Sequence, residues 1–309
     1  MNALIQPSKK EIEETISLID KLDLTSVDID VIKLSLKKLF TGYTLSTPIL
    51  NPGVILYRGI AYQTKPTTKS YLSYPPKEWA KINRASRQYE PFFYCATSRQ
   101  VPFFELGLNK GDKIVLSKWR TTKPLLLNNI GYTEINFKEL NSNRENQKWN
   151  KNENSLTLTE ENIIIQNYLA KTFSQHIPKD KTDLYKLTIA IAEKHYSEDE
   201  EINVKFQGLL YPTIPMKANA DNIALRPTFI HEGGLEFLEV EWIEVTKSYD
   251  FKFDVEVLDW ANSLSDTDVI EWKGRLPQWT FFEGEEFFFT VEDGKQVARN
   301  KDGEIIEPH

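Results

Sequence analysis

The sequence predicts an α+β protein in which helices and strands fall into separate blocks. Apolar residues recur at helical spacing in the first forty or so positions and again between about 159 and 195. From roughly 50 to 135 the texture is one of short β-like runs divided by Pro, Gly and Asn. Beyond residue 234 strands dominate, with strict apolar–polar alternation from Phe251 to Val257.

The elements follow in order. Ser8-Lys9-Lys10-Glu11 fits a capping box at a helix start, and Ile12, Ile16 and Ile19 form one apolar face behind it. A second helix is predicted from Asp28 or Asp30, burying Val31, Leu34, Leu36, Leu39 and Phe40 and stopping by Gly42. Residues 1–45 thus read as a helical cap. Val54–Tyr57, Phe92–Ala96, Lys113–Lys118 and Leu125–Leu127 are the strand candidates of the next block, and a short helix over Gln100–Leu108 carries Glu105. Residues 141–154, rich in Asn, Lys and Glu around a lone Trp149, read as an exposed insertion. Helices are predicted from Thr159 to before Pro178 and from Thr182 to His195, the second burying Leu184, Tyr185, Leu187 and Ile191. Gly208–Tyr211 and Asn222–Leu225 are short strands. Leu235–Val245 pairs as a hairpin with Phe251–Val257, and Asp293-Gly294 and Asp302-Gly303 mark later turns. Residues 235–309 form a β-rich extension.

Composition narrows the function. A chain of 309 residues with 40% hydrophobic content builds one large domain, or one domain with decorations. The net charge of −7 argues against nucleic acid as the main partner but leaves room for a local basic pocket around a small phosphate ligand. Cys95 is the sole cysteine, so no disulfide framework or cysteine metal site is expected. His176, His195, His231 and His309 lack ligand spacing, and no metal is expected. The first thirty residues contain no apolar signal region and no run reaches membrane-spanning length, so the expected location is the cytoplasm, away from membranes.

The residues that could carry chemistry are few. Arg58 ends the apolar run Gly53–Tyr57 and precedes a glycine, a position from which a guanidinium can fork onto phosphate or carboxylate oxygens. Arg84 and Arg87 lie in a polar loop that suits a second phosphate contact. Glu105 is embedded in Val101-Pro102-Phe103-Phe104-Glu105-Leu106, where a carboxylate is expensive to bury unless paired or used. Tyr57 and Tyr94 could stack on a planar heterocycle. Thr213 leaves a strand end on a turn after Tyr211-Pro212. Taken singly, Arg58 also reads as a surface arginine, Glu105 as the wet side of a helix and Thr213 as an ordinary turn residue. Cys95 reads as a small core residue, the acids of Glu236–Glu244 as the wet face of a strand, and Glu283-Gly284-Glu285-Glu286 as a solvated turn.

Taken in order, these segments resemble the RES domain family, named for an arginine, a glutamate and a serine. The matching stretches are Leu56-Tyr57-Arg58-Gly59, Asn83-Arg84 to Ser86, Phe93-Tyr94-Cys95-Ala96-Thr97-Ser98, Glu105, and Gly208–Thr213 with Asn222. They span roughly residues 50 to 230.

The resemblance implies an ADP-ribosyltransferase-like α+β fold and an enzyme that degrades NAD. Family members act as toxins of toxin–antitoxin pairs and break the nicotinamide–ribose bond with phosphate or water as acceptor. Carried over by motif, the catalytic residues are Arg58, Glu105 and Thr213, the last standing at the serine position. The substrate-binding residues are Tyr57, Arg84, Tyr94 and Asn222. Arg58 and Arg84 would hold the pyrophosphate or an attacking phosphate, and Tyr57 and Tyr94 would line the nicotinamide side. Glu105 would face the developing cation, and Thr213 would donate to a phosphate or ribose oxygen. NAD enters as substrate, phosphate as a co-substrate, and a separate antitoxin or immunity protein is an expected partner. Two other readings stay open: transfer of ADP-ribose onto a macromolecule, and a non-catalytic nucleotide- or partner-binding protein on the same scaffold.

Overall fold

The structure is a computed structural model that describes residues 6–44, 47–144, 158–178, 180–196, 205–250, 252–275, 287–292 and 295–307; at 287–296 it describes only the main chain. It opens with two helices, α1 (Lys9–Asp20) and α2 (Ile29–Phe40). The Glu11 carboxylate accepts from the Ser8 amide at 2.9 Å, and the Asp28 carboxylate from the Asp30 amide at 2.8 Å, so both starts are capped. Ile12 and Ile19 are fully buried on α1. On α2 the buried face is Ile32, Leu36 and Leu39, whereas Leu34 is 71% exposed and Val31 48%. The expectation for Val31 and Leu34 therefore fails: Ile32, Leu36 and Leu39, at i, i+4 and i+7, turn those two side chains outward.

The strands and helices that follow are β1 (Ile49–Leu50), β2 (Ile55–Ala61), β3 (Phe93–Ala96), α3 (Val101–Leu106), β4 (Lys113–Thr121), β5 (Leu125–Asn129) and α4 (Glu134–Glu139). Next come α5 (Glu160–Phe173), α6 (Tyr185–Tyr196), β6 (Gly208–Pro212), β7 (Asp221–Leu225), α7 (Pro227–His231), β8 (Leu235–Tyr249) and β9 (Lys252–Ala261). The nine strands form one mixed sheet in the order β1-β5-β6-β7-β3-β2-β4-β8-β9. Its single parallel pair is β5–β6, joined through α4, α5 and α6, as a parallel connection requires.

The two faces of the sheet are covered differently. On one face α1, α2, α5 and α6 close over Leu209, Tyr211 and Ala224 with Ile12, Ile32, Leu36, Leu169 and Ile191. Farther along the same face α3 packs Phe103 against Ile114, Leu116, Ile243 and Val245. The opposite face buries Phe93, Leu127, Trp119, Ile223 and Leu225. Complete burial of side chains such as Phe93 contributes about 1.5–3 kcal/mol each, and the Trp119 indole N–H is satisfied by Ser117 Oγ at 2.8 Å.

The sheet does not stop at residue 235, because β8 pairs with β4 and β9 with β8. Residues 9–40 likewise share a core with α5 and α6. Along β8 a bulge opposite Lys118 and Trp119 shifts the alternation. Glu241 is consequently buried and ion-paired with Arg99 at 2.7 Å instead of lying on a wet face. A second sheet holds β10 (Phe287–Glu292), β11 (Lys295–Asn300) and β12 (Ile305–Ile306). Asn300 Oδ1 accepts from the Asp302 and Glu304 amides and closes the turn at Gly303, whose φ is 83°. Asp293-Gly294, Glu283–Glu286 and positions 145–154 of the insertion lie outside the described residues. No described helix is long and apolar enough to cross a membrane.

Candidate active site

The sheet carries a split. β2 and β3 are neighbours, yet they share only the pair Tyr57–Ala96. That antiparallel register would set Gly59 opposite Tyr94, but there the main chains have parted. The Arg58 side chain occupies the gap instead, its Nη1 donating to the Tyr94 carbonyl at 2.8 Å. A cavity of about 240 Å³ opens at this place, between the four-helix layer and α3.

Two arginines reach it. Arg58 alternates onto the sheet face of Phe93, whose ring lies 5.1 Å below the guanidinium, and its Nε donates to Ser73 O at 3.1 Å. Arg84 comes from a tight turn in which Asn83 and Ser86 exchange main-chain hydrogen bonds and Ala85 and Ser86 are buried. Its guanidinium donates to the carbonyls of Phe173 and Gln175 and lies over the rings of Phe173 and Tyr185. Each arginine uses two of its five N–H donors on main-chain oxygens. Among the described residues no carboxylate lies within ion-pair distance of either. Burial brings the Arg58 pKa down to about 10 and lowers that of Arg84, so Arg58 stays cationic at neutral pH. Two cations with spare donors facing a cavity are preorganised for an anion.

Glu105 supplies the opposite charge. It sits on α3, a helix of six residues with Pro102 in its first turn and Gly107 closing it in the left-handed conformation at φ 59°. Phe103 and Phe104 anchor α3 on Phe253, with ring centroids 5.8 and 5.0 Å away. The helix can approach β2 because residue 59 is glycine: a Cβ there would lie 2.5 Å from Pro102 Cβ. Glu105 Oε1 accepts from Thr213 Oγ1 and from Asn222 Nδ2, both at 2.6 Å. Oε2 has no partner among the described residues.

Tyr57, Arg58, Arg84, Tyr94, Glu105 and Asn222 all line this one cavity, although they stand up to 165 positions apart in the chain. Thr213 does not line it. The residue is completely buried and its hydroxyl is spent on Glu105, which corrects the expectation that it donates to a phosphate or ribose oxygen. It positions the carboxylate from behind, together with Asn222. Arg87 is also corrected: it pairs with Asp30 at 2.6 Å and with Glu193, tying its loop to α2 and α6. Cys95 is buried, donates weakly to Ile223 O at 3.6 Å, and burial pushes its thiol pKa up, as befits a core residue at the cavity floor.

Two further tyrosines line the cavity and were not among the expected site residues. Tyr185, expected in the core, starts α6 and stays half-buried beside Arg84. Tyr211 stands two residues before Thr213, which follows the end of β6 and continues its pairing through the amide to Ala220 O, and residues two apart in extended chain point the same way. That period-two rule was the available signal for Tyr211; nothing local distinguished Tyr185. Among the described residues no cluster of His, Cys, Asp and Glu is arranged to hold a metal ion.

Comparison of the chain with protein-family models, with curated proteins and with solved structures finds no match.

Proposed function

We propose that the protein is an enzyme that cleaves the nicotinamide–ribose bond of NAD, with phosphate or water as the acceptor, on an ADP-ribosyltransferase-like fold of the RES type. One observation carries the reading: buried Arg58 and half-buried Arg84, which have no acidic partner among the described residues, line one cleft with Glu105, whose carboxylate is held by Asn222 at the cleft wall and by Thr213 behind it. That charge pattern suits a ligand with an anionic centre and a second centre that becomes cationic as it reacts.

In the reaction the C1′–N bond breaks and its electron pair passes to the pyridinium nitrogen, so nicotinamide leaves neutral. The ribosyl carbon becomes oxocarbenium-like, as in other glycosyl transfers. Glu105, its Oε1 fixed by Thr213 and Asn222, presents Oε2 to that cation. Arg58 and Arg84 hold phosphoryl oxygens of the dinucleotide or of an attacking phosphate, and Tyr57 and Tyr94 line the side where the planar base departs. Phosphate adds at C1′ to give ADP-ribose phosphate; water adds to give ADP-ribose with loss of a proton. A toxin-like role in the cytoplasm, restrained by a separate neutralising protein, belongs to the same proposal.

The test is incubation of the pure chain with NAD, with and without phosphate, and identification of the products. Free nicotinamide with ADP-ribose phosphate identifies a phosphorylase, and nicotinamide with ADP-ribose a hydrolase. ADP-ribose attached to protein or nucleic acid makes it a transferase. NAD left intact refutes the proposal.

A further inference from the structure

Tyr211 carries a hydroxyl that the described residues leave unused. The residue is 7% exposed, with its ring edge-on to Phe173 at 5.4 Å, and it lines the cavity. Among the described residues its Oη has no hydrogen-bond partner. It differs in this from Tyr94, whose Oη is 2.8 Å from Ser86 Oγ. It differs also from Tyr196, whose unpartnered hydroxyl is sealed in the core. Buried phenols ordinarily find a partner, because an unmet hydroxyl is costly. A hydroxyl opening into a cavity finds it in the ligand.

The surroundings define the ligand group. Arg84 and Tyr211 both pack on the ring of Phe173, the guanidinium carbon 5.8 Å and the Tyr211 ring 5.4 Å from its centroid, and both line the cavity. The phenol and the guanidinium therefore address the same part of the cavity. Burial raises the Tyr211 pKa far above neutral, which leaves the phenol a donor and not a base. A neutral donor beside a cation with spare N–H groups selects an oxygen bearing negative charge.

We infer that Tyr211 Oη donates a hydrogen bond to a phosphoryl oxygen held by Arg84, making Arg84 and Tyr211 the phosphate-reading end of the cleft. The inference rests on the proposed reading in one respect, that the anion is part of a nucleotide.

The test is Tyr211→Phe in the full chain, titrated calorimetrically with inorganic pyrophosphate and, as a control lacking phosphate, with nicotinamide riboside. Pyrophosphate binding is expected to weaken roughly tenfold to a hundredfold, the range for a lost hydrogen bond to a charged group. Riboside binding should be unchanged, and so should the melting temperature, since the hydroxyl bonds none of the described residues. Equal pyrophosphate affinity in both proteins, or no pyrophosphate binding by the wild type, overturns the inference. NAD turnover measured beside it separates the two readings. Loss of pyrophosphate binding in a chain that leaves NAD intact refutes cleavage and keeps Tyr211. Undiminished pyrophosphate binding in a chain that cleaves NAD does the reverse.

Discussion

Gly59→Ala adds one methyl group and removes nothing, yet it is expected to disable the cleft. The glycine φ lies outside the left-handed region, so the backbone itself accepts alanine. The new Cβ would stand 2.5 Å from Pro102 Cβ and 2.8 Å from Ile114 Cδ1, where ordinary contact begins at 3.4 Å. Ile114 can swing its terminal methyl aside. Pro102 cannot, because its Cβ belongs to a ring fused to the backbone of α3. The helix must therefore lift by about 0.9 Å, and Glu105, three residues on, lifts with it. Its bonds to Thr213 and Asn222, both 2.6 Å, stretch toward about 3.5 Å, the limit of a hydrogen bond. Overpacking of this kind destabilises a fold by about 1–3 kcal/mol. A displacement of about 1 Å at a reacting group lowers turnover about a hundredfold. The assay is NAD cleavage at saturating substrate, with thermal unfolding and a structure of the variant alongside. Turnover within twofold of wild type, or α3 unmoved in the variant, would refute the reasoning.

Three other outcomes are expected. Glu105→Gln should keep the bonds of Thr213 and Asn222 to Oε1 but lose the charge, lowering turnover about a hundredfold to a thousandfold with little change in NAD affinity; equal kcat in the two proteins removes the role assigned to Glu105. Thr213→Ser should retain activity while Thr213→Val loses one to two orders of magnitude, roughly the 1.5–3 kcal/mol of a bond to a carboxylate, at little change in substrate affinity; a fully active Val variant of unchanged stability makes Thr213 a mere turn residue. Burial holds the pKa of His195 down to about 4 from an ordinary 6.5, so the unfolded chain takes up a proton in that window and the folded chain does not. Stability should therefore fall as pH drops from 6.5 toward 4, by at most about 3 kcal/mol from this residue; denaturant titrations of His195→Asn should show a flatter acid limb, and parallel curves would contradict it.

What was legible in the sequence is what is decided locally. The caps at Ser8, Asp28 and Thr159 name helix starts because their side chains bond within three residues. The alternation expected over 251–257, of which 251 lies outside the described residues, named β9 (Lys252–Ala261) from equally local information. α4 went unread although Thr133 caps it through the Asn136 amide, a local signal of the same kind as that of Thr159. Arg84 and Arg87 stand three apart in one loop and are chemically identical before folding. What separates them is that Glu193 and Asp30 pair with one, whereas among the described residues the other bonds carbonyls and lies over rings, with no carboxylate in ion-pair distance. The direction of the Thr213 hydroxyl was likewise invisible, because its partner lies 108 residues away. The split between β2 and β3 left no local trace at all, although it is what turns a row of strand residues into a cleft.

Arg58 holds two offices in that split. It faces the cavity as a cation, and it bridges two half-sheets where only one residue pair joins them. A lineage that abandoned the proposed activity could not shed this arginine freely, because its loss would also loosen the seam. Among the described residues the Glu105 carboxylate is bound only by the two side chains that aim it. Inactive descendants should accordingly keep the arginine and vary at the glutamate, so that an arginine preserved at this seam testifies to the fold, and a glutamate preserved on α3 to the chemistry.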